Sequence, residues 1–178
     1  MNLALTEGSA SYRVTEQFVG IDFPNDAIGS STVVSGTIGI AKDGTIVPGS
    51  KLTVDLRALK SDQDNRDNFI KKNTFQVDQY PSAEFVPTKI TGLPLMIPMN
   101  GQNGFQLTGD LTIHGVTKEV VLDVDGPTEA IKDPMGKGQR MGASATTKVN
   151  RQDFGVSALP GVVGDEITIT IDVEMTKA

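Results

Sequence analysis

Apolar residues recur at every second position through most of this chain. From Glu166 to Met175, Ile167, Ile169, Ile171, Val173 and Met175 share one face, while Thr168, Thr170, Asp172 and Glu174 take the other. Leu52, Val54 and Leu56 alternate with Thr53, Asp55 and Arg57 in the same way. Phe105, Leu107, Gly109, Leu111 and Ile113 make another row, and Val120, Leu122 and Val124 a further one. This period of two predicts strands near residues 10–18, 32–41, 50–57, 83–91, 104–113, 117–126, 139–149 and 166–176.

One segment breaks the pattern. Residues 61–73 read as the single helix. Ser61 is placed to cap its start, and Asp62, Asp64 and Asp67 lie in its first turns, where the helix dipole favours negative charge. Lys71 and Lys72 fall in its last turn, and Phe69 and Ile70 are its apolar anchors. Tyr80-Pro81 then ends the helical region, and a strand starts at Ala83.

One apolar face per strand suits an antiparallel sheet, and with no further helical crossovers parallel units are not expected. Such a sheet hides its edges by closing into a barrel or by folding into a two-sheet sandwich, and periodicity does not separate the two. In an up-and-down barrel the connections alternate between ends. The segment from Asp22 to Ser31, the helix with Arg66 and Asp67, the turn at His114 and the stretch Arg151-Gln-Asp153-Phe154 then share one end. The apolar loop 92–99 lies at the other. This loop and the second apolar loop, 158–163, either fold over the barrel and pack against it, or one of them forms a greasy portal or a partner-contacting patch.

The residues predicted to point inward are Leu52, Val54, Leu56, Phe85, Leu107, Leu111, Leu122, Val124, Ile169, Ile171 and Val173. They are mostly medium-sized, small residues such as Gly36, Gly109, Gly142 and Ser144 stand among the rows, and the chain has no Trp. The interior is then either filled by β-branched packing or left open as a tunnel that needs an occupant.

Length and composition narrow the function. The 178 residues fit one domain, 1–178. A net charge of −6 argues against a nucleic-acid partner, whose phosphates need a basic patch. There is no cysteine, which removes disulfides, thiolate chemistry and cysteine-ligated metals. No apolar run reaches the roughly 20 residues of a transmembrane segment. The start, from Met1 to Glu7, does not read as a signal peptide. The expected location is periplasmic or secreted if an export signal has been removed, and cytoplasmic otherwise.

Candidate chemistry is sparse. His114 is the one histidine; no nucleophile elbow accompanies it, and one histidine does not make a zinc site, so no metal is expected. Its role is a hydrogen bond at the turn or contact with a ligand head. Gly136-Lys137-Gly138 has no following helix and reads as a loop. Arg66 and Arg151 each present a donor fork for a carboxylate or phosphate, with Asp67 and Asp153 as their expected partners. These residues either pin the helix to the barrel end or hold a ligand's head.

Three separated motifs carry a family resemblance. Asn65-Arg66-Asp67 is followed by Phe75, Tyr80-Pro81 and Phe85; the stretch Thr108 to Thr117 reads TGDLTIHGVT; and Asn150-Arg151-Gln-Asp153-Phe154-Gly155 closes the set. In order and spacing the chain resembles the YceI-like family, with Lys118-Glu119 where many relatives have Lys-Pro, and a start without the usual export signal. The resemblance implies an all-β fold with one inserted helix, an eight-stranded antiparallel lipocalin-like β-barrel. It also implies a lipid ligand: a polyisoprenoid, such as an isoprenoid quinone or prenyl phosphate, or a long fatty chain. The function expected is non-enzymatic binding or carriage, with no cofactor required beyond the bound lipid. Two other readings stay open: an enzyme acting on a lipid or isoprenoid, and a filled-core structural or stress protein. A homodimer is compatible with each.

Overall fold

Ten antiparallel strands form one sheet that closes on itself. The computed structural model describes residues 2–17, 20, 23–93, 104–127, 131–132 and 139–177. The strands are β1 (Asn2–Glu16), β2 (Asn25–Ser31), β3 (Val34–Gly39), β4 (Lys51–Asp55), β5 (Ser82–Thr91), β6 (Gly104–Ile113), β7 (Val116–Asp125), β8 (Ile131–Lys132), β9 (Gln139–Asn150) and β10 (Val163–Lys177). Between β4 and β5 lies the helix α1 (Asp64–Phe69).

β10 closes the barrel. It pairs with β1 from Leu3↔Lys177 to Glu16↔Val163, and with β9 from Glu166↔Asn150 to Thr176↔Arg140. β2 and β3 share one place in the wall: β2 pairs with residues 10–16 of β1, and β3 with residues 2–4. The two-residue strand β8 adds to β9. The wall is therefore an eight-stave antiparallel barrel, as expected, and a sandwich with open edges is ruled out.

Several predicted boundaries move. The first strand begins at Asn2 rather than at residue 10, because a bulge between Leu5 and Glu7 resets the inward parity. The second strand, expected at 32–41, is β3 at Val34–Gly39, and Asn25–Ser31, expected in the connection at the barrel end, is instead the wall strand β2. The third ends at Asp55, and Leu56 lies in a 3-10 turn over Leu56–Ala58. Asp55 caps that turn by accepting from the Arg57 backbone N–H. The helix is shorter than 61–73: its N-cap position is Gln63, and Ile70–Thr74 continue it as a π turn. Ser61 does not cap it; its N–H and hydroxyl both donate to Asp67 Oδ1, at 2.8 and 2.7 Å.

The up-and-down order places the β1–β2 connection, α1, the β6–β7 turn and the segment after β9 at one end. His114 and Gly115, both at positive φ (52° and 75°), make the tight β6–β7 turn. The opposite end carries the connections after β3, β5 and β7. Residues 94–99 of the predicted apolar loop, Asp22, and the Gly136-Lys137-Gly138 stretch lie outside the described residues.

The core lies inside the barrel. Leu52, Phe85, Leu107, Leu111, Leu122 and Val124 are buried together with Phe154 and Val156. Glycine makes two close approaches possible. A Cβ on Gly109 would fall 2.5 Å from the Phe85 ring, so the missing side chain is what lets that ring lie across β6. Gly36 has φ +144°, and a Cβ there would lie 2.1 Å from the Lys51 carbonyl oxygen, on rigid backbone of the neighbouring strand. Gly36→Ala must therefore open the β3–β4 ladder, and a strained backbone alone costs about 1–3 kcal/mol. Urea denaturation should show at least that loss; a stability unchanged within about 0.5 kcal/mol would contradict the β3–β4 register.

Candidate functional site

The predicted inward residues all line apolar cavities inside the barrel. Leu52, Leu107, Leu122, Val124, Ile171 and Val173 surround a cavity of about 340 Å³ toward the end opposite α1. Leu52, Val54, Leu56, Phe85, Leu111, Ile169 and Ile171 surround a second of about 80 Å³. Leu52 and Ile171 line both, and so stand between the two spaces. Tyr12 and Phe75 stand in the same way between the second space and a third, also about 80 Å³, beneath α1. The result is an apolar tunnel along the barrel axis, divided at Leu52/Ile171 and at Tyr12/Phe75. It is wide where the wall carries small residues, Ala143 and Ala145.

The end beneath α1 is polar. Arg66 reaches back across fifty residues to Glu16 at 3.4 Å, with side chains 14% and 9% exposed, and also pairs with Asp62 one helical turn away. Tyr12 stands between this group and the tunnel. Burial pushes its hydroxyl up to about 12; Arg66 pulls the other way, and the carboxylates of Asp67, Glu16 and Asp62 add to the rise. A neutral hydroxyl at physiological pH thus faces a mostly buried guanidinium at the tunnel's end.

The expected Arg–Asp pairs are corrected by the structure. Arg66 takes Glu16 and Asp62 rather than Asp67, because Asp67 is occupied by Ser61. Arg151, 3% exposed, takes Asp165 at 3.1 Å rather than Asp153. Its guanidinium also donates to the carbonyls of Val156, Ala158, Val163 and Gly164 at 2.7–3.1 Å. It therefore holds the 156–164 segment over the barrel end, which is the packing role expected of the loop 158–163. Leu159 of that loop nevertheless stays 41% exposed at a φ of 53°, on the rim of the space beneath α1. Asp153 is exposed and lies between β7 and β9.

His114 packs edge-on against Tyr80, with ring centroids 4.7 Å apart, and its Nε2 is buried without a hydrogen-bond partner among the described residues. A Cβ on Gly155 would stand 3.7 Å from its Nδ1. The motifs carrying Arg66, His114 and Arg151 thus do meet at one barrel end, but only the two arginines line the space beneath α1. Among the described residues no group of three or more His, Asp or Glu is placed to hold a metal. No described helix is long and apolar enough to cross a membrane.

The model of the YceI-like domain matches residues 7–175. The chain belongs to the YceI-like family. A UPF0312 protein of Pseudomonas putida is 39% identical over 131 residues, which is 72% of this chain and 63% of that protein. The chain thus spans less than two thirds of the length of the curated relatives it matches. Among solved structures, Burkholderia cenocepacia BcnA superposes with a TM-score of 0.67 at 19% identity, over 94% of this chain and 95% of that one. A polyisoprenoid binding domain from Saccharophagus degradans, implicated in plant cell wall breakdown, superposes with a TM-score of 0.67 at 12% identity, over 99% and 98%. These structures show that the YceI-like chain shares their barrel.

Sequence reasoning missed Tyr12 and Glu16 as parts of the site. Their signal was the row Ala10, Tyr12, Val14, Glu16, in which a tyrosine and a carboxylate occupy inward positions of an otherwise apolar face. Since the folded Tyr12 hydroxyl keeps its proton above its ordinary value of 10, its contribution to stability is complete below pH 10. That contribution is lost as pH rises through about 12. The chain has two tyrosines, so absorbance titration of the folded protein should show a late phenolate step near 12 that Tyr12→Phe removes. A Tyr12→Phe titration that keeps the late step would refute this placement.

Proposed function

We propose that this protein is a non-enzymatic carrier that holds a polyisoprenoid or a long fatty chain in the barrel tunnel. The observation that carries the reading is the tunnel itself, lined predominantly by apolar side chains, with Lys42 and Glu84 also on its walls and Arg66, Glu16 and Arg151 beneath α1. Each CH2 group moved from water into such a space contributes about 0.8 kcal/mol, part of which is offset by ordering the chain. Family membership and the barrel shared with a polyisoprenoid binding domain support the ligand class. In this reading the Tyr12 hydroxyl and Arg66 receive the ligand's polar head, a quinone carbonyl, phosphate or carboxyl group. Arg151, His114, Asp67 and Asp153 serve the barrel end instead. Export to a periplasmic or secreted location belongs to the same proposal and rests on the family resemblance.

Organic extraction of the purified protein followed by mass spectrometry should release a long prenyl or acyl species. Ala145→Phe fills the widest part of the tunnel without adding charge, at an overpacking cost of about 1–3 kcal/mol. It should keep the barrel, by circular dichroism, and lower retention of that species at least about tenfold, the equivalent of roughly 1.4 kcal/mol. Protein that yields no lipid and takes up no long-chain probe would overturn the proposal.

A further inference from the structure

The barrel wall is incomplete at one seam. β7 and β9 share a ladder only where Asp123, Val124 and Asp125 meet Thr146, Ala145 and Ser144. From there toward the α1 end, Val116–Leu122 pair only with β6, and Thr147–Asn150 only with β10. A slot of about 390 Å³ lies between the two unpaired edges. Its rim carries Lys118, Glu119, Lys148 and Asp153, a mixed set with no net sign. Its floor is Val120, Val149 and Phe154, which pack against the tunnel-wall cluster of Leu107, Leu111 and Leu122. Phe154 is only 2% exposed and packs in the same cluster as those tunnel-wall side chains. It is held by a short 3-10 turn, which the Asn150 side chain caps by accepting from the Gln152 N–H at 2.9 Å and Gly155 ends at a φ of 69°.

We propose that this slot is a lateral portal through which an apolar chain passes between solvent and tunnel, with Phe154 as its plug. The inference rests on the carrier reading. An inserted peptide strand fits the slot less well. Pairing with both edges would need them held about 9–10 Å apart along their length, twice the usual strand spacing. Here the edges diverge from a closed ladder, leaving a wedge. A flexible chain needs no such spacing, and the apolar floor continues into the tunnel wall. The balanced rim gives no preference to a strongly charged partner.

The chain has no cysteine, so a pair introduced across the slot is the only thiol pair present. Val121 and Lys148 face each other by extension of the β7–β9 register, and Val121 is 43% exposed. The Val121→Cys/Lys148→Cys protein, bridged by a short bis-maleimide, is compared with its unbridged form in stopped-flow uptake of a dansyl-labelled long-chain fatty acid. Bridging should slow uptake about tenfold while leaving the final bound signal unchanged. Uptake at an unchanged rate, with normal final binding, overturns the portal alone and places passage at a barrel end. Failure of the unaltered protein to bind the probe at all overturns the carrier reading and the portal with it. Should the cysteine pair not fold, Phe154→Leu replaces it: faster uptake and release are expected, and unchanged rates overturn the portal.

Discussion

β10 is hydrogen-bonded to β1 along one side and to β9 along the other, so the first and last staves of the sheet are locked together. That closure fixes the circumference. Eight staves give an interior wide enough to be filled by large side chains or to hold one small ligand. The inward positions are mostly Leu, Ile, Val and Ala, and the Phe85 ring packs closely over Gly109. Closure holds the walls apart, and the side chains supplied do not meet across the wide part. The tunnel follows from those two facts together, and it is divided where Leu52, Ile171, Tyr12 and Phe75 stand between its spaces.

The two arginines at the α1 end do opposite work. Arg151 is saturated by backbone carbonyls and Asp165, so its charge is spent within the fold. Arg66 has one contact with Glu16 at a long 3.4 Å and another with an exposed aspartate. Beneath α1 a mostly buried guanidinium with spare donors stands beside a protonated phenol, a place where a polar group is favoured. In the carrier reading, an amphipathic ligand would lie with its chain in the wide aliphatic part and its head beneath α1.

The barrel and its inward faces were legible because the side-chain period of a strand is two and most strands here keep it. The rows of β4, β6, β7 and β10 each contribute side chains to the apolar spaces inside the barrel. β1 was only half read, since the bulge after Leu5 moves the inward residues from Leu3 and Leu5 to Gly8, Ala10 and Tyr12, and a pattern that changes parity looks like no pattern. β2 escaped because its sequence, NDAIGSS, has no apolar row; Gly29 serves it by admitting the Tyr12 ring. Convergence of the three motifs followed from topology, but the partners did not. Glu16 lies fifty residues from Arg66, and the carbonyls around Arg151 leave no trace in side-chain identity. The β7–β9 seam was equally hidden, because Val120 and Leu122 alternate whether or not the neighbouring strand is paired.

The central claim is that an apolar chain occupies the barrel axis. Isotope-filtered NMR of the methyl-labelled protein bound to an unlabelled long-chain lipid reads that contact directly. The account predicts cross-relaxation from the lipid's chain protons to the methyls of Leu52, Leu122 and Ile171, which line the interior from the middle of the tunnel to its wide part. Contacts confined to outward-facing methyls such as those of Val86 and Val121, with none to Leu52 or Ile171, would contradict it.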